Sequence, residues 1–319
     1  MSGTEPRVDV VVSTRDRAVR LGALLDALRA QELAREAFTV TVVDNGSHDA
    51  TPAVLAQAGL DGRLDLRVVR RARGDGPAHG RDAGWRAASA PVVAFTDDDC
   101  RPEPGWLAAL VEAARARPAA LLAGRTDPDP AELHRLAPTA RTQTVLQAGP
   151  WFPTCNIAYP RTLLERVDGF DLGYGWGGED TDLAWRAQAA GAPVVYVEGA
   201  RVLHAVEDLG ALGALRLAGR WSEAMRLFAT HPAMRRQALH HGVFWRQAHR
   251  DLLLAAAGLA LAPRLPPAVV LTLPWLHGAR RRLWLTGGSA RHLPLLMAVD
   301  AVEVAAVVRG GVRYRVAVV

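Results

Sequence analysis

Cysteine is nearly absent from this chain. Only Cys100 and Cys155 occur, far apart and without a CxxC spacing, which excludes a disulfide framework and a paired-cysteine zinc site and fits a reducing compartment. No RNP-like aromatic strand or other nucleic-acid module is present, so nucleic acid is not an expected partner. Lysine is missing altogether: the 38 basic side chains are all arginine, and against 33 acidic ones they leave a net charge of +5 and a pI near 9.9. That balance suits an anionic partner, such as a nucleotide diphosphate or an anionic lipid head group. Met1 to Val8 carry polar and charged side chains where a signal peptide needs an apolar stretch, so a cytoplasmic location is expected. No uninterrupted apolar run reaches the ~20 residues that span a bilayer. Leu252–Pro263 and Leu265–Gly278 are interrupted by Arg264 and by Pro266, Pro267 and Pro274.

Half of the 319 residues are hydrophobic, enough for one large α/β core with a C-terminal appendage. Val8–Ser13 is a β-branched run of the kind that is buried on both faces of a parallel sheet, and Val19, Leu21, Leu24, Leu25 and Leu28 then recur at helical spacing. The pattern returns as Phe38–Val43 with Asp49–Ala58, Leu64–Arg70 with Gly80–Ala88, and Pro91–Phe95 with Pro104–Ala116. Alternating strands and helices predict a doubly wound, mostly parallel sheet flanked by helices. Asp127–Gln147 reads as a connection, and a polar-rich region follows from Gly149 to His204. The expected division is a core over residues 1–206 and a helical extension over 207–319. The two apolar runs, flanked by Arg280, Arg281 and Arg282, suit either interfacial helices or packing against the core.

Ligands of such sheets bind beyond the carboxyl ends of the strands. Those ends read Ser13-Thr14-Arg15-Asp16, Asp44-Asn45-Gly46-Ser47 and Thr96-Asp97-Asp98-Asp99. Adjacent aspartates repel one another and raise each other's pKa, so a cation is expected among them. A hard ion, Mg2+ or Mn2+, prefers carboxylate oxygens and bridges to phosphate; an acidic loop or helix cap before Pro102 and Pro104 is the plainer alternative. Alternation along a strand points Asp97 and Asp99 one way and Asp98 the other. The second constellation, Gly177-Gly178-Glu179-Asp180-Thr181-Asp182, opens a helix. Acids there suit the helix dipole, but Trp176 and two glycines ask for more: close backbone approach and stacking on a sugar face. Asp180 is the candidate general base. His204 closes a strand-like region and is open to both a structural and a ligating role.

VVVSTRDR, VVDNGSHDAT, GRDAGWRAA leading to VVAFTDDDCRPEPGWL, and GGEDTDLAWR followed by VLH, in this order over Val8–His204, resemble family 2 glycosyltransferases of the GT-A fold. The resemblance implies inverting, metal-dependent transfer of a hexosyl or deoxyhexosyl group from a nucleotide diphosphate sugar to a hydroxyl of a cell-envelope, polysaccharide or lipid-linked glycan. Thr14, with its neighbour Arg15, and Asp44 match the positions that contact the nucleotide. Asp97 and Asp99 match the DxD pair, of which Asp99 ligates the metal and Asp97 lies by the ribose and the metal, with Asp98 between them on the nucleotide side; Asp180 matches the catalytic base, Glu179 the acid that orients the acceptor, and His204 a histidine that completes some metal sites. Trp176, Gly177, Gly178 and Asn156 fall on the acceptor side. Arg81-Asp82 departs from the usual Arg-Asn, and the C-terminal third resembles the membrane-associated appendages of such enzymes, which implies peripheral contact with the inner face of the cell membrane. Two competing readings are a nucleotidyltransferase, against which stands the lack of a glycine-rich loop after the first strand, and a non-catalytic membrane scaffold.

Overall fold

The computed structural model describes residues 8–175 and 177–319. They fall into two compact units: one runs up to Ala131 and resumes over Thr142–Ala205, the other comprises Glu132–Arg141 and Val206–Val319.

The first unit opens as the periodicity predicts, with β1 (Val8–Thr14), α1 (Ala18–Arg29), β2 (Phe38–Asp44), α2 (Thr51–Leu60), β3 (Leu66–Arg70), α3 (Pro77–Ala87) and β4 (Val92–Thr96). There follow β5 (Cys100–Pro102), α4 (Trp106–Ala116) and β6 (Leu121–Pro128); β7 (Ala140–Arg141) belongs to the second unit; then come β8 (Asn156–Pro160), α5 (Arg161–Arg166), α6 (Glu179–Ala189) and β9 (Val194–His204). Eight strands form one sheet in the order β3-β2-β1-β4-β8-β6-β9-β5. β3, β2, β1 and β4 are parallel, as are β6 and β9. β8 enters antiparallel to both β4 and β6, and β5 runs antiparallel to β9, so the sheet is mixed rather than uniformly wound.

The β-branched runs of β1 and β2 are buried on both faces because helices cover the sheet on each side. Leu21, Leu24, Leu25 and Leu28 of α1 and Trp106, Leu107, Leu110 and Val111 of α4 join Val8, Val10, Val12, Val40 and Val42 in the main core. A buried acid within that frame serves the fold through one oxygen: Asp9 Oδ2 of β1 accepts hydrogen bonds from the backbone N–H of Ser89 and Ala90, fixing the turn into β4. Asn156 is similar. Its amide nitrogen donates to the carbonyls of Arg125 (2.7 Å) and Ala200 (2.8 Å), and its oxygen accepts from the indole of Trp106 (2.9 Å). The acceptor-side expectation for Asn156 therefore gives way to a structural one, because both amide hydrogens are already spent bracing β6, β8 and β9.

The second unit is helical apart from β7 and its antiparallel partner β10 (Glu207–Asp208). It contains α7 (Gly210–Arg220), α8 (Met225–Thr230), α9 (Pro232–Ala238), α10 (Gln247–Leu261), a 3-10 segment over Pro266–Thr272, α11 (Leu273–Leu285) and α12 (Leu293–Tyr314). Ala255, Trp275, Ala279, Leu283 and Leu296 form a small core of their own. Its buried acids are paired: Asp300 receives the Trp275 indole (2.8 Å) and both terminal nitrogens of Arg282 (2.8 and 2.6 Å), and Glu303 meets His249 and Arg246. Among the described residues no helix is long and apolar enough to cross a membrane.

Candidate active site

Strand ends set the site. β1 delivers Thr14, β2 delivers Asp44, and β4 runs out into Asp97, Asp98 and Asp99, so the parallel half of the sheet brings three polar termini to one edge. The contribution of β9 depends on the antiparallel pair at the far side of the sheet, where Cys100 of β5 stands opposite His204. That register carries Asp99, one residue before β5, to His204, and the backbone N–H of Ala205 closes the link by donating to the Asp99 carbonyl (2.9 Å).

The His204 ring is buried, and its Nδ1 lies 2.8 Å from the carbonyl oxygen of Ala205. A carbonyl only accepts, so Nδ1 carries the proton and Nε2 presents a lone pair. That Nε2 is 3.6 Å from Asp99 Oδ1 and has no hydrogen-bond partner, although it is inaccessible to water. An imidazole oriented through its other nitrogen, with its lone pair beside a carboxylate, is how metal-binding histidines are held. Asp99, Cys100 and His204 bring their ligand atoms within 4.8 Å of one another. Burial pushes the Cys100 thiol well above its ordinary pKa, and a hydrogen bond with Cys155 adds to this. The set Asp99 with His204 thus fits a hard or borderline divalent ion. The thiols, far apart in sequence, are neighbours in the fold.

Asp98 lies in the turn after β4 rather than on the strand, and it points elsewhere. It accepts a hydrogen bond from the Thr14 hydroxyl (2.7 Å), and burial, reinforced by Asp99, pushes its carboxyl up to about 7. Asp44 is buried and caps its own loop by accepting from the N–H of Ser47 (2.9 Å). Arg15 is half-exposed at the end of β1 and reaches the carbonyl of Gly74 (3.5 Å).

The second motif begins α6. Gly178 caps it with φ 100°, a left-handed conformation that a side chain would strain. Glu179 is buried at the first helical position and Asp180 is partly buried beside it. Burial, followed by the Glu179 charge, pushes the Asp180 carboxyl up to about 7, while Arg81 opposes the shift. Trp176 lies outside the described residues.

Sequence reasoning missed the connection between the motifs. Arg81, buried on α3, donates from one terminal nitrogen to Asp97 Oδ1 and from the other to Glu179 Oε1, each at 2.6 Å. The surrounding acids hold its guanidinium above the ordinary arginine pKa, despite a burial that works the other way. The second Glu179 oxygen, Oε2, is buried with no partner. Asp82, the residue that departs from the family's asparagine, serves the fold: it accepts from the Trp85 indole (2.7 Å), Arg86 (2.8 Å) and the N–H of Phe170 (3.3 Å). Only the departure of the pair Arg81-Asp82 from the family's Arg-Asn could have signalled this.

Comparison with known proteins follows the same residues. The model of glycosyl transferase family 2 matches residues 9–175, more than half of the chain. The chain belongs to glycosyl transferase family 2. A second model, described as the N-terminal domain of galactosyltransferase, matches residues 146–208, the stretch that holds α6 and His204. Among family relatives, a validoxylamine A glucosyltransferase of Streptomyces hygroscopicus subsp. jinggangensis is 31% identical over 226 residues, covering 59% of this chain and 53% of its own. A pre-mycofactocin glycosyltransferase of Mycobacterium tuberculosis is 32% identical over 213 residues, covering 62% and 42%. The chain spans about half the length of these relatives. Of solved structures, the mannosyltransferase PcManGT of Pyrobaculum calidifontis, in complex with GDP-Man and Mn2+, superposes with a TM-score of 0.61 at 25% identity, covering 96% of this chain and 87% of that one. S. aureus TarS 1-349 in complex with UDP shares the fold, with a TM-score of 0.55 at 20% identity over 96% and 91%.

Proposed function

We propose that this protein transfers a sugar from a nucleotide diphosphate sugar to an acceptor hydroxyl with inversion, assisted by Mn2+ or Mg2+. The observation that carries the reading is that two of the buried polar atoms without a partner, His204 Nε2 and Glu179 Oε2, fall in the two acidic motifs that Arg81 connects through Asp97. Buried polar atoms are rarely left unsatisfied without a reason, and a metal-bound donor on one side with an acceptor on the other supplies one for each. PcManGT, whose structure contains GDP-Man and Mn2+, supports both the donor class and the ion.

Asp99 and His204, with Asp97 nearby, would hold the cation. When bound, a divalent ion stabilises the charge that develops on a departing diphosphate. Thr14, Arg15, Asp44 and Asp98 line the nucleotide side, where the Thr14 hydroxyl already orients Asp98. On the acceptor side Glu179 Oε2 accepts a hydrogen bond from the incoming sugar or lipid-linked glycan, with Gly177 and Gly178 allowing close approach. Asp180 takes the proton of the attacking hydroxyl; a carboxyl poised at about 7 is ionised often enough to do so and basic enough to be effective. We place the reaction in the cytoplasm at the membrane face, a setting that suits the free thiols of Cys100 and Cys155.

Asp180→Asn tests the assignment. Isothermal titration with manganese and the nucleotide sugar that the wild type binds should give a nearly unchanged donor Kd, while kcat for transfer falls by about 10²–10⁴. Transfer at the wild-type rate in this variant would remove Asp180 as the base.

A further inference from the structure

We propose that the segment from the end of α10 through α11 seats the helical unit on an anionic lipid bilayer, lying in its interface rather than crossing it. The observation begins with charge. Between Asp251 and Asp300 there is no acidic residue at all, while Arg264, Arg280, Arg281, Arg282 and Arg291 fall inside that interval. Arg282 is neutralised by Asp300; Arg264, Arg280, Arg281 and Arg291 are exposed.

The second observation is what the fold leaves uncovered. Gly258 on α10 permits a close return of the chain, since a Cβ there would lie 2.6 Å from the carbonyl oxygen of Ala268. With Ala255, Ala268 and Trp275 turned inward, Leu259, Leu261, Leu265, Val269, Val270 and Leu273 remain exposed. Isolated exposed leucines need no explanation, but a succession of them on one hairpin marks a contact surface. On α11, Leu276, Arg280 and Trp284 recur every fourth residue, which stacks them on one helix face. Trp284 is 80% exposed. An aliphatic tip, a tryptophan and arginines whose stems can lie along hydrocarbon while their heads stay wet make up the side-chain set of an interfacial helix.

Charge decides the occupant. A second copy seated on this face about a twofold axis would set arginines against arginines, with no acid between Asp251 and Asp300 to answer them. A bilayer rich in anionic lipid offers dense negative charge and hydrocarbon together. The apolar hairpin thus enters to the acyl boundary and the arginines lie among phosphates.

Vesicle flotation of the full chain tests this, with phosphatidylglycerol–phosphatidylcholine vesicles against phosphatidylcholine alone. The protein should float with the anionic vesicles, stay behind with the neutral ones, and be released by salt. Arg280→Gln with Arg281→Gln should weaken partition about five-fold per arginine removed. Val269→Asp with Val270→Asp, at exposed positions, should abolish it while circular dichroism and donor hydrolysis without vesicles stay at wild-type levels. Failure to float with anionic vesicles, equal binding to neutral ones, or undiminished binding by the aspartate variant would each overturn the proposal. So would a dimer, seen by light scattering without lipid, that the aspartate variant dissolves.

Discussion

At the scale of single residues, the chemistry rests on carboxyls whose surroundings differ although their neighbours in sequence are alike. Asp99 faces the His204 lone pair, Asp98 faces the Thr14 hydroxyl, and Asp97 is held by Arg81. Burial, reinforced by Glu179, makes the Asp180 carboxyl a weaker acid than an ordinary aspartate. The sign of the resulting pH dependence follows. On the proposed reaction Asp180 is the base and works only when ionised, and its carboxyl is raised to about 7 in the free protein, so kcat/KM should climb with pH through about 7 and level off above it. A profile of kcat/KM against pH checks this. A profile flat from pH 5 to pH 9 would show that this proton transfer does not limit the rate.

At the scale of elements, the start of α6 is set by a glycine. Gly178 caps the helix at φ 100°, and Glu179 and Asp180 follow at once, so the conformation of one backbone joint aims both acids. Gly178→Ala should lower stability by about 1–2 kcal/mol, the typical cost of a left-handed residue with a side chain. It should also reduce kcat more than donor affinity, which urea unfolding and steady-state kinetics measure together. The β-α alternation through α4 was legible because β-branched runs and leucines at helical spacing obey local rules: β1, β2 and α1 lie within a residue or two of their expected bounds. The strands β5, β6 and β8 were not legible in the same way. β5 has three residues, and β8 is antiparallel because of its partners rather than its composition. The acidic motifs were equally plain in sequence, yet the contact of Arg81 with Glu179 spans 98 positions and has no local signature. Asn156 misled for a related reason: an asparagine at the start of a strand reads the same whether it faces a substrate or braces three strands.

At the scale of the whole molecule, ligands that bind only the folded state raise its stability by mass action. With manganese present, the correct nucleotide sugar at a hundredfold its Kd should add about 2.7 kcal/mol and raise Tm accordingly. Asp99→Ala should lose the manganese-dependent part of that shift in differential scanning fluorimetry. A donor-induced shift of the same size in the variant would place the ion elsewhere.

Arg81 holds Asp97 with one nitrogen and Glu179 with the other, so the donor-side and acceptor-side motifs share a single counter-ion. A diphosphate arriving near Asp97 competes for that guanidinium, and whatever it draws away alters the field at Glu179. Linkage makes such an effect mutual: the factor by which donor changes acceptor affinity equals the factor by which acceptor changes donor affinity. On the proposed reaction, coupling between the two substrates therefore runs through one side chain.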